Sequence, residues 1–127
     1  MAKTIQQKVE FKKSPHEIYE MLMDSKKHAA FTGEKASISR KAGGKFSAYG
    51  GYIEGVTLDL VPDQRIVQKW RGSGWPKGYY SIVIFDLEKI AKGTRLTFTQ
   101  VGVPDKDYKD KQKGWKEHYW EKMKKMA

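Results

Sequence analysis

The sequence predicts an α+β domain in which a curved antiparallel sheet of about six to seven strands wraps around a long C-terminal helix, with two short helices after the first strand. Three observations predict it. Apolar residues alternate at period two in Ile5, Val9 and Phe11, and again from Lys35 to Val101. A helix-start signal, Ser14-Pro15-His16-Glu17, follows the first of these runs. At the far end Trp115, Tyr119, Lys122, Met123 and Met126 recur at helical spacing. At 127 residues and 39% hydrophobic content, residues 1–127 make one domain, with a core that needs no disulfide or metal staple.

In the first strand Lys8, Glu10 and Lys12 take the outward parity, and only Gln7 interrupts the inner face. Ser14 to Glu17 reads as a capping box: the serine oxygen meets the third helical amide, Pro15 sits where no amide hydrogen is needed, and the glutamate reaches back. The helix begins at about Pro15 and carries Ile18, Met21 and Leu22 as its apolar stripe. Asp24-Ser25 caps a second short helix with Ala29, Ala30 and Phe31, and Gly33 suits its end.

From Lys35 to Val101 about six strands are punctuated by Gly43-Gly44, Gly50-Gly51, Pro62-Asp63, the Gly72 to Gly78 stretch and Lys92-Gly93. The clearest runs are Val56-Leu58-Leu60, Ile66-Gln68-Trp70 against Val67-Lys69-Arg71, Tyr79-Ser81-Val83-Phe85-Leu87, and Leu96-Phe98 with Val101 on the other parity. Consecutive hairpins give an antiparallel sheet, and Gly55 is expected to mark a bulge. After Val103-Pro104 the polar stretch DKDYKDKQKG reads as a connection, and the C-terminal helix follows from Trp115. Lys122 can lay its stem along the apolar stripe with its head in water.

Lys and Arg number 25 against 15 Asp and Glu, a net charge of +10. The excess is spread along the chain: ten basic to five acidic residues in 1–50, seven to five in 51–103, eight to five in 104–127. Such charge favours acidic partners but predicts only nonspecific contact with nucleic acid, for which no recognition motif is present. No stretch approaches the roughly 18 apolar residues of a spanning helix, and no export signal opens the sequence, so no membrane role is expected. The absence of cysteine excludes disulfides, thiolate metal sites and a cysteine nucleophile, and fits a cytoplasmic location.

His16, His28 and His118 fall at no metal-ligand spacing, so no metal is expected. His118, one turn from Trp115, reads as a partly buried structural histidine. Asp59 and Asp63 do not face each other as an acid and base would, and the glycines of AGGK and GSGWPKG lack phosphate-loop spacing. No catalytic constellation is visible, which points away from an enzyme and from any cofactor. The candidates for partner contact are Lys69 and Arg71 on the sheet's outer face, Trp75, Pro76 and Lys77 in the glycine-rich hairpin, and Trp120 off the helix's main stripe. A loop tryptophan must either stand exposed or fold back onto the sheet. The candidates for lining a cavity between sheet and helix are Trp70, Phe85, Phe98, Trp115, Tyr119 and Met123.

The segments AGGKF, DLVPDQRIVQKWRGSGWPKGYY and KGWKEHYWEKMK together resemble the C-terminal domain of the activators of the heat shock protein 90 ATPase, in the helix-grip (START-related) superfamily. LVP followed by IV, a spacer and KW marks the family, and the GW, WP and GW-to-Y elements narrow it. The resemblance runs from about Thr4 to Met126, and SPHEIY fits it as well. It implies the helix-grip fold and a co-chaperone, active in protein folding and the stress response, that contacts the dimerised N-terminal domains of the 90-kDa chaperone and favours its closed, ATP-hydrolysing state. In such co-chaperones a separate N-terminal domain grips the chaperone's middle segment. This sequence opens at the first strand of the C-terminal-type module, so that larger part is expected to be missing. The alternative is a carrier of a small hydrophobic ligand, because helix-grip domains commonly hold an apolar cavity.

Overall fold

The computed structural model describes residues 2–125. Its seven strands are β1 (Ala2–Phe11), β2 (Ser37–Ile38), β3 (Lys45–Ala48), β4 (Ile53–Val61), β5 (Arg65–Gly72), β6 (Ser81–Ile90) and β7 (Gly93–Pro104). They form one sheet in the order β1-β7-β6-β5-β4-β3-β2, antiparallel throughout. The helices α1 (Pro15–Met23) and α2 (Ser25–Thr32) follow β1. At the end of the chain α3 (Tyr108–Trp115) passes through a π-helical turn (Lys116–Trp120) into α4 (Glu121–Lys125). Met126, expected on this helix's apolar stripe, lies outside the described residues.

The local signals act as read. The Ser14 hydroxyl accepts from the Glu17 amide at 3.2 Å while the Glu17 carboxylate accepts from the Ser14 amide at 3.0 Å. Asp24 accepts from the Lys27 amide at 3.0 Å, and Gly33 closes α2 in the left-handed region at φ 76°. The inward parity of β5, β6 and β7 buries Ile66, Trp70, Val83, Phe85, Leu96 and Phe98 against the helices.

Three expectations are corrected. Gly55 makes no bulge; it pairs with Trp70, and a Cβ there would lie 1.8 Å from the Lys69 carbonyl oxygen and 2.8 Å from the Phe46 ring. The register shift falls between Thr57 and Asp59. Ile53, Gly55 and Thr57 therefore face inward before it, so of Val56, Leu58 and Leu60, read on one parity, the first two turn outward and only Leu60, opposite Ile66, packs against the core. The third correction is the last helix, which starts at Tyr108, inside the stretch read as a connection, and buries Lys111.

The π turn decides the core. On a regular α-helix Trp120 would sit about 140° round from Trp115. A turn widened by one residue brings Tyr119 and Trp120 to the sheet together, both buried.

Candidate functional site

The six residues expected to line a cavity, Trp70, Phe85, Phe98, Trp115, Tyr119 and Met123, converge between sheet and helix, all buried. They fill the space rather than enclose it. The Phe98 and Trp115 ring centroids are 4.3 Å apart, those of Trp115 and Tyr119 4.5 Å, and Trp120 stacks on Trp115 at 5.7 Å. Beside them a void of about 20 Å³ remains, bordered by His28, Gln68 and Tyr119, room for a water molecule and no more.

Two glutamines make this aromatic packing possible. Trp115 Nε1 donates to Gln100 Oε1 at 2.8 Å, Gln100 Nε2 donates to Ser81 Oγ at 2.9 Å, and Ser81 Oγ donates to the Trp70 carbonyl at 3.0 Å. Trp120 Nε1 donates to Gln7 Oε1 at 2.7 Å, and Gln7 Nε2 donates to the Gln112 carbonyl at 2.9 Å. The polar residue that interrupted the first strand's inner face is the acceptor a buried indole requires.

Trp75 and Trp120 are corrected as partner contacts. Trp75 folds back from its hairpin to 6% exposure, 5.4 Å from the Trp70 ring and 5.6 Å from the Tyr79 ring. Arg71 holds it there: its guanidinium donates to the Trp75 carbonyl and, at 3.5 Å, to the Pro76 carbonyl, and faces Glu54 at 3.8 Å. Arg71 is thus committed to the loop. Pro76 and Lys77 stay exposed at its tip. Lys69 keeps its outward place with its ammonium over the Tyr80 ring at 4.5 Å.

His28, not His118, is the buried histidine. It is 4% exposed, its Nε2 hydrogen-bonds with the Tyr119 hydroxyl at 3.1 Å, and burial pushes its pKa down to about 4. His118 is exposed, while its carbonyl accepts from the Tyr49 hydroxyl at 2.5 Å. That bond ties the π turn to the segment between β3 and β4, and burial raises the Tyr49 phenol to about 12. Asp63, in the β4–β5 turn, pairs with His16 at 2.9 Å.

A cleft of about 410 Å³, open to solvent, lies between Tyr49–Ile53 and α3. Trp70, Trp115 and Tyr119 form its floor, and Lys111 stands in its wall. The Lys111 ammonium donates to the Tyr52 hydroxyl at 3.3 Å and to Asp110 at 3.2 Å. Nothing in the sequence pattern announced this cleft, because Lys111 belongs to the segment read as loop.

A family model described as "Activator of Hsp90 ATPase homolog 1-like protein" matches residues 12–127. The chain belongs to that family. Among curated proteins this family member is 36% identical over 123 residues to the activator of 90 kDa heat shock protein ATPase homolog of Dictyostelium discoideum, a match over 96% of this chain and 32% of the relative. It is 32% identical to homolog 1 from Homo sapiens, over 90% of this chain and 34% of that protein. It spans about a third of the length of these relatives. The crystal structure of an HSP90 activator from Plasmodium falciparum shares the fold with a TM-score of 0.87 at 22% identity, covering 99% of this chain and 95% of that one. A protein from Mesorhizobium loti follows at 0.83 and 20% identity, over 97% of this chain and 95% of that one. The fold is the helix-grip arrangement expected from the sequence. Among the described residues no helix is long and apolar enough to cross a membrane.

Proposed function

We propose that this domain binds the 90-kDa heat-shock chaperone and modulates its ATPase cycle by favouring the closed state. Its membership of the activator family, matched over residues 12–127, carries the reading. The filled core supports it, since the void of about 20 Å³ beside the stacked aromatic rings leaves a hydrophobic cargo no enclosed place there, and the larger cleft is open to solvent. The domain acts by binding, without cofactor or chemistry of its own, in the cytoplasm.

A binder shifts a conformational equilibrium only through different affinities for the two states. Binding is therefore expected to be tighter with a nonhydrolysable ATP analogue than with ADP. The test is the ATPase rate of the same organism's chaperone with and without this chain, a specific inhibitor subtracting background, with binding measured in the same samples. Stimulation with nucleotide-dependent affinity supports the proposal. Equal affinity in both states removes the mechanism, and no binding removes the reading.

The open cleft favours a second reading, a small hydrophobic ligand held against Trp70, Trp115 and Tyr119. An apolar fluorescent probe should then change the tryptophan emission on titration; an unchanged spectrum disposes of it.

A further inference from the structure

The face of the sheet turned away from the helices is not the polar surface that a solvated antiparallel sheet presents. Register brings Lys45, Val56, Lys69, Ile82, Val101 and Thr4 into one row across six strands. The next row carries Asp59, Val67, Ile84, Thr99 and Gln6. Five aliphatic side chains thus adjoin at outward positions, and the bulged Leu58 stands beside them. Val101 is 46% and Leu58 45% exposed. Among the described residues no helix covers this face.

The charges around the patch are unequal. Arg65 pairs with Asp86, Arg71 with Glu54, and Arg95 and Lys92 with Glu10, so these carboxylates are already matched. Among the described residues Lys45, Lys69 and Lys8, all outward on this face, have no carboxylate within ion-pair distance, against Asp59 alone on the acidic side. A second copy of the chain is a poor occupant, because it would set these lysines against their equivalents and join two molecules of charge +10.

We infer that this uncovered sheet face, centred on Val56, Ile82 and Val101 with Lys45 and Lys69 beside them, is where the domain docks onto an acidic protein surface that presents aliphatic side chains. The aliphatic row supplies the buried contact; the lysines set encounter rate and choice of partner. The inference rests on the chaperone-binding reading for the partner's identity, and it assigns the contact to the sheet rather than to the open cleft or the tryptophan hairpin.

The test measures binding of the full chain and of Lys69→Glu, Val101→Glu, Val101→Ser and Lys109→Glu to the same organism's 90-kDa chaperone with nonhydrolysable ATP analogue, at low and moderate salt. Thermal unfolding of each variant confirms the fold. Sedimentation of the chain alone reports self-association. The expected result is a monomer that binds the chaperone, at least tenfold weaker binding for Lys69→Glu and Val101→Glu, a smaller loss for Val101→Ser, and less than a threefold change for Lys109→Glu on α3. Wild-type binding with all variants unchanged overturns the docking face and leaves the chaperone reading standing. Equal loss at Lys69 and Lys109 overturns it too, since charge alone would then explain the contact. A dimer that Val101→Glu dissociates gives the face to a second copy and overturns the acidic partner. No wild-type binding overturns both inference and reading.

Discussion

The indole N–H of Trp115 donates to the side-chain oxygen of Gln100, 2.8 Å away and wholly inside the protein. The bond fixes the last helix to β7, and Gln100 passes it on through Ser81 to the backbone of β5. Replacing Gln100 by leucine strands the indole donor, while the Ser81 hydroxyl loses the bond it accepts but still donates to the Trp70 carbonyl. A buried polar group left without a partner costs about 1–3 kcal/mol, and urea denaturation of Gln100→Leu should show a loss of that order. Adding Trp115→Phe should recover part of it, because the stranded indole donor is then gone. Strictly additive losses would mean that the bond contributes nothing.

Two glycines test the backbone in opposite directions. At Gly55 an added methyl meets the Lys69 carbonyl and the Phe46 ring, so Gly55→Ala must part β4 from β5. The expected cost is on the order of 3 kcal/mol or a failure to fold, since overpacking at backbone cannot relax as a side chain does. At Gly114 in α3 the nearest atom is His118 Cδ2 at 3.9 Å, an ordinary contact. Gly114→Ala should stabilise by about 0.5–1 kcal/mol through helix propensity. Thermal unfolding of the pair separates the two; a neutral Gly55→Ala would contradict the close approach.

These residues also mark what the sequence made legible. Alternation, the Ser14–Glu17 box, Asp24 and Gly33 were readable because each acts through neighbours a few residues away. The π turn, the bulge at Leu58 and the two indole acceptors were not, because tertiary contact decides them. Trp120 reads as off the stripe until a turn is widened by one residue, and Gln7 reads as an interruption until Trp120 lies over it, 113 positions later. Trp75 carried both outcomes in its sequence; Arg71, four residues before it, selected the buried one.

His28 gives the stability a pH dependence. Its ordinary value is 6.5 and burial holds it near 4 in the fold, so between these limits the unfolded chain binds a proton that the folded chain refuses. Stability is therefore full above about pH 7 and falls as pH drops from 6.5 toward 4, by on the order of 3 kcal/mol for a single group of this kind. The carboxylates of Glu17 and Asp24, held below their ordinary 4.5 and 3.8 by capping hydrogen bonds, lose their contribution only lower on the scale. His28→Gln should flatten the upper part of the curve and leave the lower part. A wild-type denaturation midpoint that does not move between pH 7 and 5 would contradict the buried neutral imidazole.

Arg71 is expected to govern the hairpin rather than a partner. Its side chain is 18% exposed and its guanidinium spans the Trp75 and Pro76 carbonyls, a fork that an ammonium cannot reproduce. Arg71→Lys keeps the charge and loses the fork, so Trp75 should leave Trp70 and enter water. The cost is about 1–2 kcal/mol, the scale of a charge-assisted hydrogen bond partly open to solvent. Tryptophan emission should shift to the red and gain access to a soluble quencher, while Lys77→Ala at the exposed tip leaves both unchanged. If Arg71→Lys retains the wild-type spectrum, the stacking of Trp75 on Trp70 and Tyr79 holds the loop without the arginine, and the side chain is then free to meet a partner.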